Sequence, residues 1–195
     1  MLFKKINKYK KNIALLDEKK NSFSYNDIII KSKNIKKKIK KKSLILLICE
    51  NNIASIFYYI SLTISKHALI LVDDKLEGSI IKNLINEYRP QYIVSTKIKS
   101  KSFIDKVLDV YLTKTKFKNN NLLNNDLSLL LSTSGSLGSS KFVKLSFENL
   151  KSNTSNIIKY LKINFRDRAM TNMSFSYSYM LSVINTHIEM GGSIF

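Results

Sequence analysis

A lone cysteine, Cys49, rules out a disulfide within the chain, which suits a reducing compartment such as the cytosol. Cys49 ends an apolar run, so it reads as a small buried hydrophobe and not as a nucleophile. With that one cysteine and two histidines, His67 and His187, no group of residues has metal-ligand spacing. No apolar stretch is long enough to span a bilayer. The longest candidate, Ile53 to Val72, is cut by Lys66 and His67 into pieces shorter than the ~20 residues a span needs. The opening Met1-Leu-Phe-Lys-Lys-Ile-Asn-Lys8 has the charge of a signal peptide without the apolar segment that should follow. No internal repeat is visible. What remains is a chain of 195 residues, 44% of them hydrophobic, enough for the core of one domain or two.

Acidic residues are scarce too. Fourteen Asp and Glu face 33 Lys and Arg, a net charge of +19. Such a charge favours nucleic acid or an anionic lipid surface as a partner. The densest run has lysines at 31, 33, 36, 37, 38, 40, 41 and 42. Against that partner stand three points. Lys, Asn and Ile are over-used throughout, as an AT-rich coding sequence would produce. The run falls on an amphipathic helix whose outer face would be solvated anyway. It also lacks the arginines and interleaved aromatics that bidentate contacts and base stacking use. Nucleic-acid binding as the main function is therefore not expected.

Strand and helix patterns alternate along the chain. Strands are expected at 13–17, 44–49, 68–73, 91–95, 127–133, 142–146 and 169–173, and helices at 24–41, 53–65, 78–88, 147–161 and 178–190. Ser24 with Asp27 three residues later makes a capping-box start. The single proline, Pro90, closes the third helix. Continuous apolar strands between helices predict an α/β fold, a mostly parallel sheet covered by helices. The Asn-rich segment 119–126 reads as a surface loop.

The most informative segment is Leu130-Leu-Ser-Thr-Ser-Gly-Ser-Leu-Gly-Ser-Ser-Lys141, followed by Phe142-Val-Lys-Leu-Ser-Phe-Glu-Asn-Leu150. An apolar strand breaks into a hydroxyl-rich, glycine-punctuated loop ending in one lysine. Gly135 and Gly138 permit positive φ and close approach to a ligand. The hydroxyls of Thr133, Ser134 and Ser136 and the loop N–H groups, that of Leu137 included, can cradle an anion, with Lys141 as a point charge. The same composition would serve an ordinary hairpin turn. The segment also departs from the common P-loop, in which Gly-Lys-Ser/Thr opens a helix directly.

Thr133 to Lys141 resembles the phosphate-binding signature of the AMP-forming, or adenylate-forming, acid ligases: acyl-CoA synthetases, luciferases and peptide-synthetase adenylation domains. Their pattern runs Thr-Ser-Gly-Ser/Thr-Thr-Gly-x-Pro-Lys-Gly-Val and continues toward His-x-Asn-Leu; here the continuation is Leu145-Ser-Phe-Glu-Asn-Leu150. Leu137 replaces a hydroxyl residue, Ser140 a proline, and Phe147 stands where histidine is common. Softer matches lie upstream in the family's order: Ile13–Asp17 with Phe23–Asp27, Leu44–Asn51, Phe57–Asp73 (His67 where glycine is usual) and Ile81–Ser95. Downstream, Met173–Ser182 resembles the segment that opens a helix beside the acid pocket, with Ser174 for proline and Met180 for glycine. Tyr177 takes the aromatic position that lines the acyl site.

The resemblance implies that residues 132–141 hold the polyphosphate of ATP with Mg²⁺, that Lys141 acts in catalysis, and that a carboxylic acid is activated to an acyl-adenylate for transfer to CoA, a carrier protein or an amine. It implies no protein metal site, no membrane span and a cytoplasmic enzyme. The family's later segments are not found here: the Tyr-Gly-x-Thr-Glu turn, the ribose-binding aspartate, the hinge and the C-terminal lysine. Residues 1–195 are therefore expected to be an N-terminal part of the AMP-binding domain without its C-terminal subdomain. It would be inactive alone, or would be a non-catalytic module that retains nucleotide or acyl binding, or one that assembles with a separate C-terminal chain. His187, on an apolar helix face, reads as a packed histidine.

Overall fold

The computed structural model of the chain describes residues 2–98, 103–118, 123–132 and 142–195. After a 3-10 helix at Lys4–Tyr9 come β1 (Ile13–Leu16), β2 (Ser22–Ser24), α1 (Tyr25–Lys38), β3 (Leu44–Cys49), α2 (Ile53–Ile64), β4 (Ala68–Asp73), α3 (Gly78–Tyr88) and β5 (Tyr92–Ser95). The chain continues through β6 (Phe103–Val107), β7 (Val110–Lys114), β8 (Leu127–Ser132), β9 (Phe142–Ser146), α4 (Phe147–Leu161), β10 (Arg168–Ala169), α5 (Ser178–Met190) and β11 (Ser193–Ile194).

Seven strands form one sheet in the order β6-β7-β5-β3-β4-β8-β9. Its centre, β5-β3-β4-β8, is parallel, and β7, β6 and β9 add antiparallel edges. A second sheet runs β10-β11-β1-β2. The apolar strands of the first sheet divide by alternation. Ile45, Leu47 and Cys49 of β3, with Leu69 and Leu71 of β4, join the core shared with α1, α2 and α5. Leu44, Leu46, Ile48, Ile70 and Val72 face the other way, onto Ile81 and Leu84 of α3. Both faces are covered, which is why these strands carry no polar alternation.

Every residue of α2 is buried, as an all-round apolar helix between layers must be. The run Ile53–Val72 is thus a buried helix followed by a buried strand. Among the described residues no helix is long and apolar enough to cross a membrane.

Helix starts were legible. Ser24 accepts from Asp27 N, and Asp27 accepts from the Ser24 backbone in return. Ser146 and Asn149 repeat the device at α4. α1 stops three residues short of expectation, because Ile39 leaves helical dihedrals and buries its side chain (4% exposed).

The β6–β7 hairpin was not expected from sequence. Its two-residue turn is Leu108-Asp109, with Leu108 at φ 48°, instead of the Asn-Gly that usually announces such a turn. The strand expected at 169–173 shrinks to Arg168–Ala169, which pairs with β11. The short β2 and the N-terminal 3-10 helix also went unmarked.

Candidate functional site

β3 sends the chain through α2 on one face of the sheet, and its neighbour β4 sends it through α3 on the other. Two adjacent parallel strands whose connections diverge leave a crevice at their C-terminal ends, the usual ligand position in such sheets.

The residues there are polar and cross-linked. Glu50, just past β3, accepts from Thr96 N (3.0 Å), Thr96 Oγ1 (2.6 Å) and Asn52 Nδ2 (3.2 Å), which ties the ends of β3 and β5. Asn52 caps α2 by accepting from Ser55 N at 2.8 Å. Past β4, Asp73 accepts from Lys75 N (2.9 Å), and the Asp74 carbonyl from Lys97 Nζ (2.7 Å).

Residues 171–177 lie across these ends. The Thr171 carbonyl accepts from Asn51 Nδ2 (3.2 Å), Ser174 Oγ donates to the Cys49 carbonyl (3.1 Å), and Ser176 Oγ donates to Asp73 (3.4 Å). Phe175 anchors the segment, fully buried and 5.8 Å from the Tyr59 ring. Tyr59 in turn donates to Asn185 Oδ1 of α5 at 2.8 Å.

Phe175 is core, whereas Tyr177 and Tyr179 are 54% and 68% exposed at the start of α5. Tyr179 lines a groove of about 770 Å³ between α4 and α5, with Leu150, Ile157, Leu181 and His187. His187 is held by the Val183 carbonyl, 2.8 Å from Nδ1. A second cleft, of about 630 Å³, opens between the two sheets and is lined by Asp17, Asn51, Asn52, Thr96, Asp109 and Thr171 among others. Both volumes suit small molecules.

The expected phosphate loop, Thr133, Ser134, Gly135, Ser136, Leu137, Gly138 and on to Lys141, lies outside the described residues. Its flanks do not. Ser132 and Phe142 are register partners in β8 and β9. β8 is the parallel neighbour of β4, so Ser132 ends at the same edge as Asp73. Phe142 is fixed by an edge-on contact with Tyr88, ring centres 5.3 Å apart.

Cys49 is buried beneath the crevice, and burial pushes its thiol well up, away from a reactive thiolate. Among the described residues no group of three or more His, Cys, Asp or Glu is placed to hold a metal ion.

Solved structures share this architecture over the whole chain. VinN in complex with L-aspartate matches with a TM-score of 0.75 and 12% identity, covering 100% of this chain and 61% of that one. O-succinylbenzoate coenzyme A synthetase (MenE) from Bacillus subtilis, in complex with AMP, matches with a TM-score of 0.73 and 13% identity over 98% of this chain and 54% of its own. The Klebsiella oxytoca NpsA N-terminal subdomain in complex with 3-hydroxyanthranilyl-AMSN matches with a TM-score of 0.73 and 16% identity, over 98% and 51%. The fold is that of the N-terminal part of adenylate-forming enzymes. The chain spans about half the length of the adenylate-forming structures it matches. No protein-family model matches it, and a search of curated proteins found no match.

Sequence reasoning named the loop and Tyr177 as site candidates and did not single out Glu50, Asn52, Thr96 and Asp73, which the fold brings to the crevice. Their one local signal was polar residues abruptly following buried strands, as in Glu50-Asn51-Asn52 after Leu44–Cys49.

Proposed function

We propose that the chain supplies the nucleotide-binding part of an AMP-forming acid ligase. The observation that supports this reading is the pairing of Ser132 with Phe142, the two residues that flank 133–141, with Ser132 at the C-terminal edge of the central strands beside the β3/β4 crevice, in a chain with the adenylate-forming fold. A carboxylate oxygen of the substrate acid forms a bond to the α-phosphorus of ATP, and the bond from that phosphorus to the β-phosphate bridging oxygen breaks. Pyrophosphate leaves. The loop N–H groups and Lys141 neutralise charge building on it, and the work is positioning and electrostatics.

Mg²⁺ would arrive on the nucleotide phosphates. Mg²⁺ commonly relies on one or two carboxylates plus phosphate oxygens, so the nucleotide itself would supply most of its ligands. Tyr177, exposed at the start of α5, would line the acid site. CoA, a carrier protein or an amine would accept the acyl group, and the enzyme would work in the cytoplasm.

A second reading has the chain bind nucleotide or acid while a separate C-terminal chain completes catalysis. It is favoured by the apolar surface over α4 and α5, where Tyr160 is 85% and Leu161 59% exposed.

The test is ATP–pyrophosphate exchange with a panel of carboxylic acids, on the chain alone and mixed with a chain carrying the family's later segments. Lys141→Ala should depress exchange about a hundredfold or more, as loss of a transition-state charge donor does. Unchanged exchange would overturn the role given to Lys141. Restoration only on mixing would decide for the second reading.

A further inference from the structure

The edge of the large sheet opposite the crevice is basic, and it becomes so only on folding. The chain enters β3, β4 and β5 side by side there: Ala68 N donates to the Ser43 carbonyl and Gln91 N to the Leu44 carbonyl. Each entry brings cations. Lys36 and Lys37 end α1, Lys40 and Lys41 lead into β3, Lys66 precedes β4 and Arg89 precedes β5; all six are exposed. Neighbouring strands are ~4.8 Å apart, so the three entries share one small patch. Three other lysines of the 31–42 run are committed internally. Lys31 and Lys38 bond Asp105, and Lys42 donates to the carbonyls of Asn125 and Leu127. The acidic residues near this edge are Glu87, Asp126, Glu148, which pairs with Lys151, and the doubly paired Asp105. At the other edge Glu50, Asp73 and Asp74 stand together with Lys75 and Lys97. Cations therefore outnumber acids at the entry edge and do not at the crevice edge. The field of the entry edge reaches the interior, where Lys42 and Lys36 add to burial in holding down the pKa of His67.

We infer that this pole docks the protein on an anionic lipid surface, with the crevice turned toward solution. The cations sit on three adjacent loops of a sheet edge and not along a groove; the clefts described above have other linings. Five of the six are lysines, point charges without the planar fork that favours phosphodiester and base recognition. Among the described residues the aromatics at this edge are already engaged, as Phe117 is beneath Lys116, 5.7 Å from the ring centre. Phe103, half exposed at the same edge, is already packed edge-on against Tyr111. A spread of lysines without stacking platforms suits a planar surface of negative headgroups better than a nucleic-acid strand.

The experiment is co-sedimentation with vesicles of phosphatidylcholine, alone or mixed with phosphatidylserine, at near-physiological salt. Binding should need phosphatidylserine and weaken as salt rises. The variant Lys36→Ala/Lys37→Ala/Lys40→Ala/Lys41→Ala should bind about a hundredfold more weakly or worse, at roughly fivefold per lysine. A control with the same charge change, Lys10→Ala/Lys11→Ala/Lys144→Ala/Lys159→Ala, should retain binding. Three results would overturn the inference: no binding to the mixed vesicles, equal loss in both variants, or tighter binding to single-stranded or duplex RNA or DNA at the same salt.

Discussion

His67 should make this protein acid-sensitive in a defined window. The ring is 2% exposed, and its Nδ1 accepts from Ser43 N at 3.3 Å. The neutral proton therefore sits on Nε2, which has no hydrogen-bond partner among the described residues. Protonation would put a second N–H on Nδ1, donor against donor at Ser43. Burial, reinforced by Lys42 and Lys36, holds the native pKa down at about 4, against an ordinary 6.5. The unfolded chain thus takes up a proton below about 6.5 and the native protein only near 4. Stability falls as the pH drops through that interval and is not lost further below it. At ~1.4 kcal/mol per pKa unit, the whole interval is worth about 3 kcal/mol. Urea unfolding of the parent and of His67→Asn, stepped from neutral pH to pH ~4, isolates this contribution. Asparagine keeps an acceptor for Ser43 N but does not titrate, while carboxylates elsewhere act on both proteins alike. The parent should lose about 3 kcal/mol more than the variant. Parallel curves would refute the reasoning.

Gly191→Ala should destabilise the fold by about 1–2 kcal/mol or more, because Gly191 caps α5 at φ +83° and a Cβ there would overlap the Tyr9 ring; a thermal melt indistinguishable from the parent's would contradict that geometry. Tyr59→Phe should cost about 1–3 kcal/mol by leaving the buried Asn185 Oδ1 without its 2.8 Å donor, measured by urea midpoint. At Asp105, burial pushes the carboxyl up but is outweighed by hydrogen bonds from Lys31 and Tyr58 and the charge of Lys31, so its native pKa is lowered. Its stabilisation is present above the unfolded pKa and fades as pH falls through the native one. Asp105→Asn should remove that dependence and lower stability at neutral pH, and a variant with the parent's acid profile would show that the cluster contributes nothing.

Much of the architecture was legible because it rests on short-range physics. The parallel strands at 44–49 and 68–73 announce themselves as unbroken apolar runs of strand length, and α1 by a serine and an aspartate three residues apart. The β6–β7 hairpin was not legible, since its strands are short and half exposed and a leucine occupies the left-handed turn position. The segment 133–141, read from its composition and order as a polyphosphate loop, lies outside the described residues.

The sequence by itself determined the class of fold and the burial of Cys49 and of Ile53–Ile64, since these follow from periodicity, capping and residue size along neighbouring positions. Tertiary structure alone decided which polar groups meet. Glu50 reaches Thr96, and Ser174 reaches the Cys49 carbonyl, across 46 and 125 residues of chain. Phe175 became core while Tyr177 and Tyr179 stayed at the surface. Lysines scattered from 36 to 66 gathered with Arg89 at one pole. Strand order sets those distances, and strand order is fixed by the burial of both sheet faces at once, which no local window of residues contains.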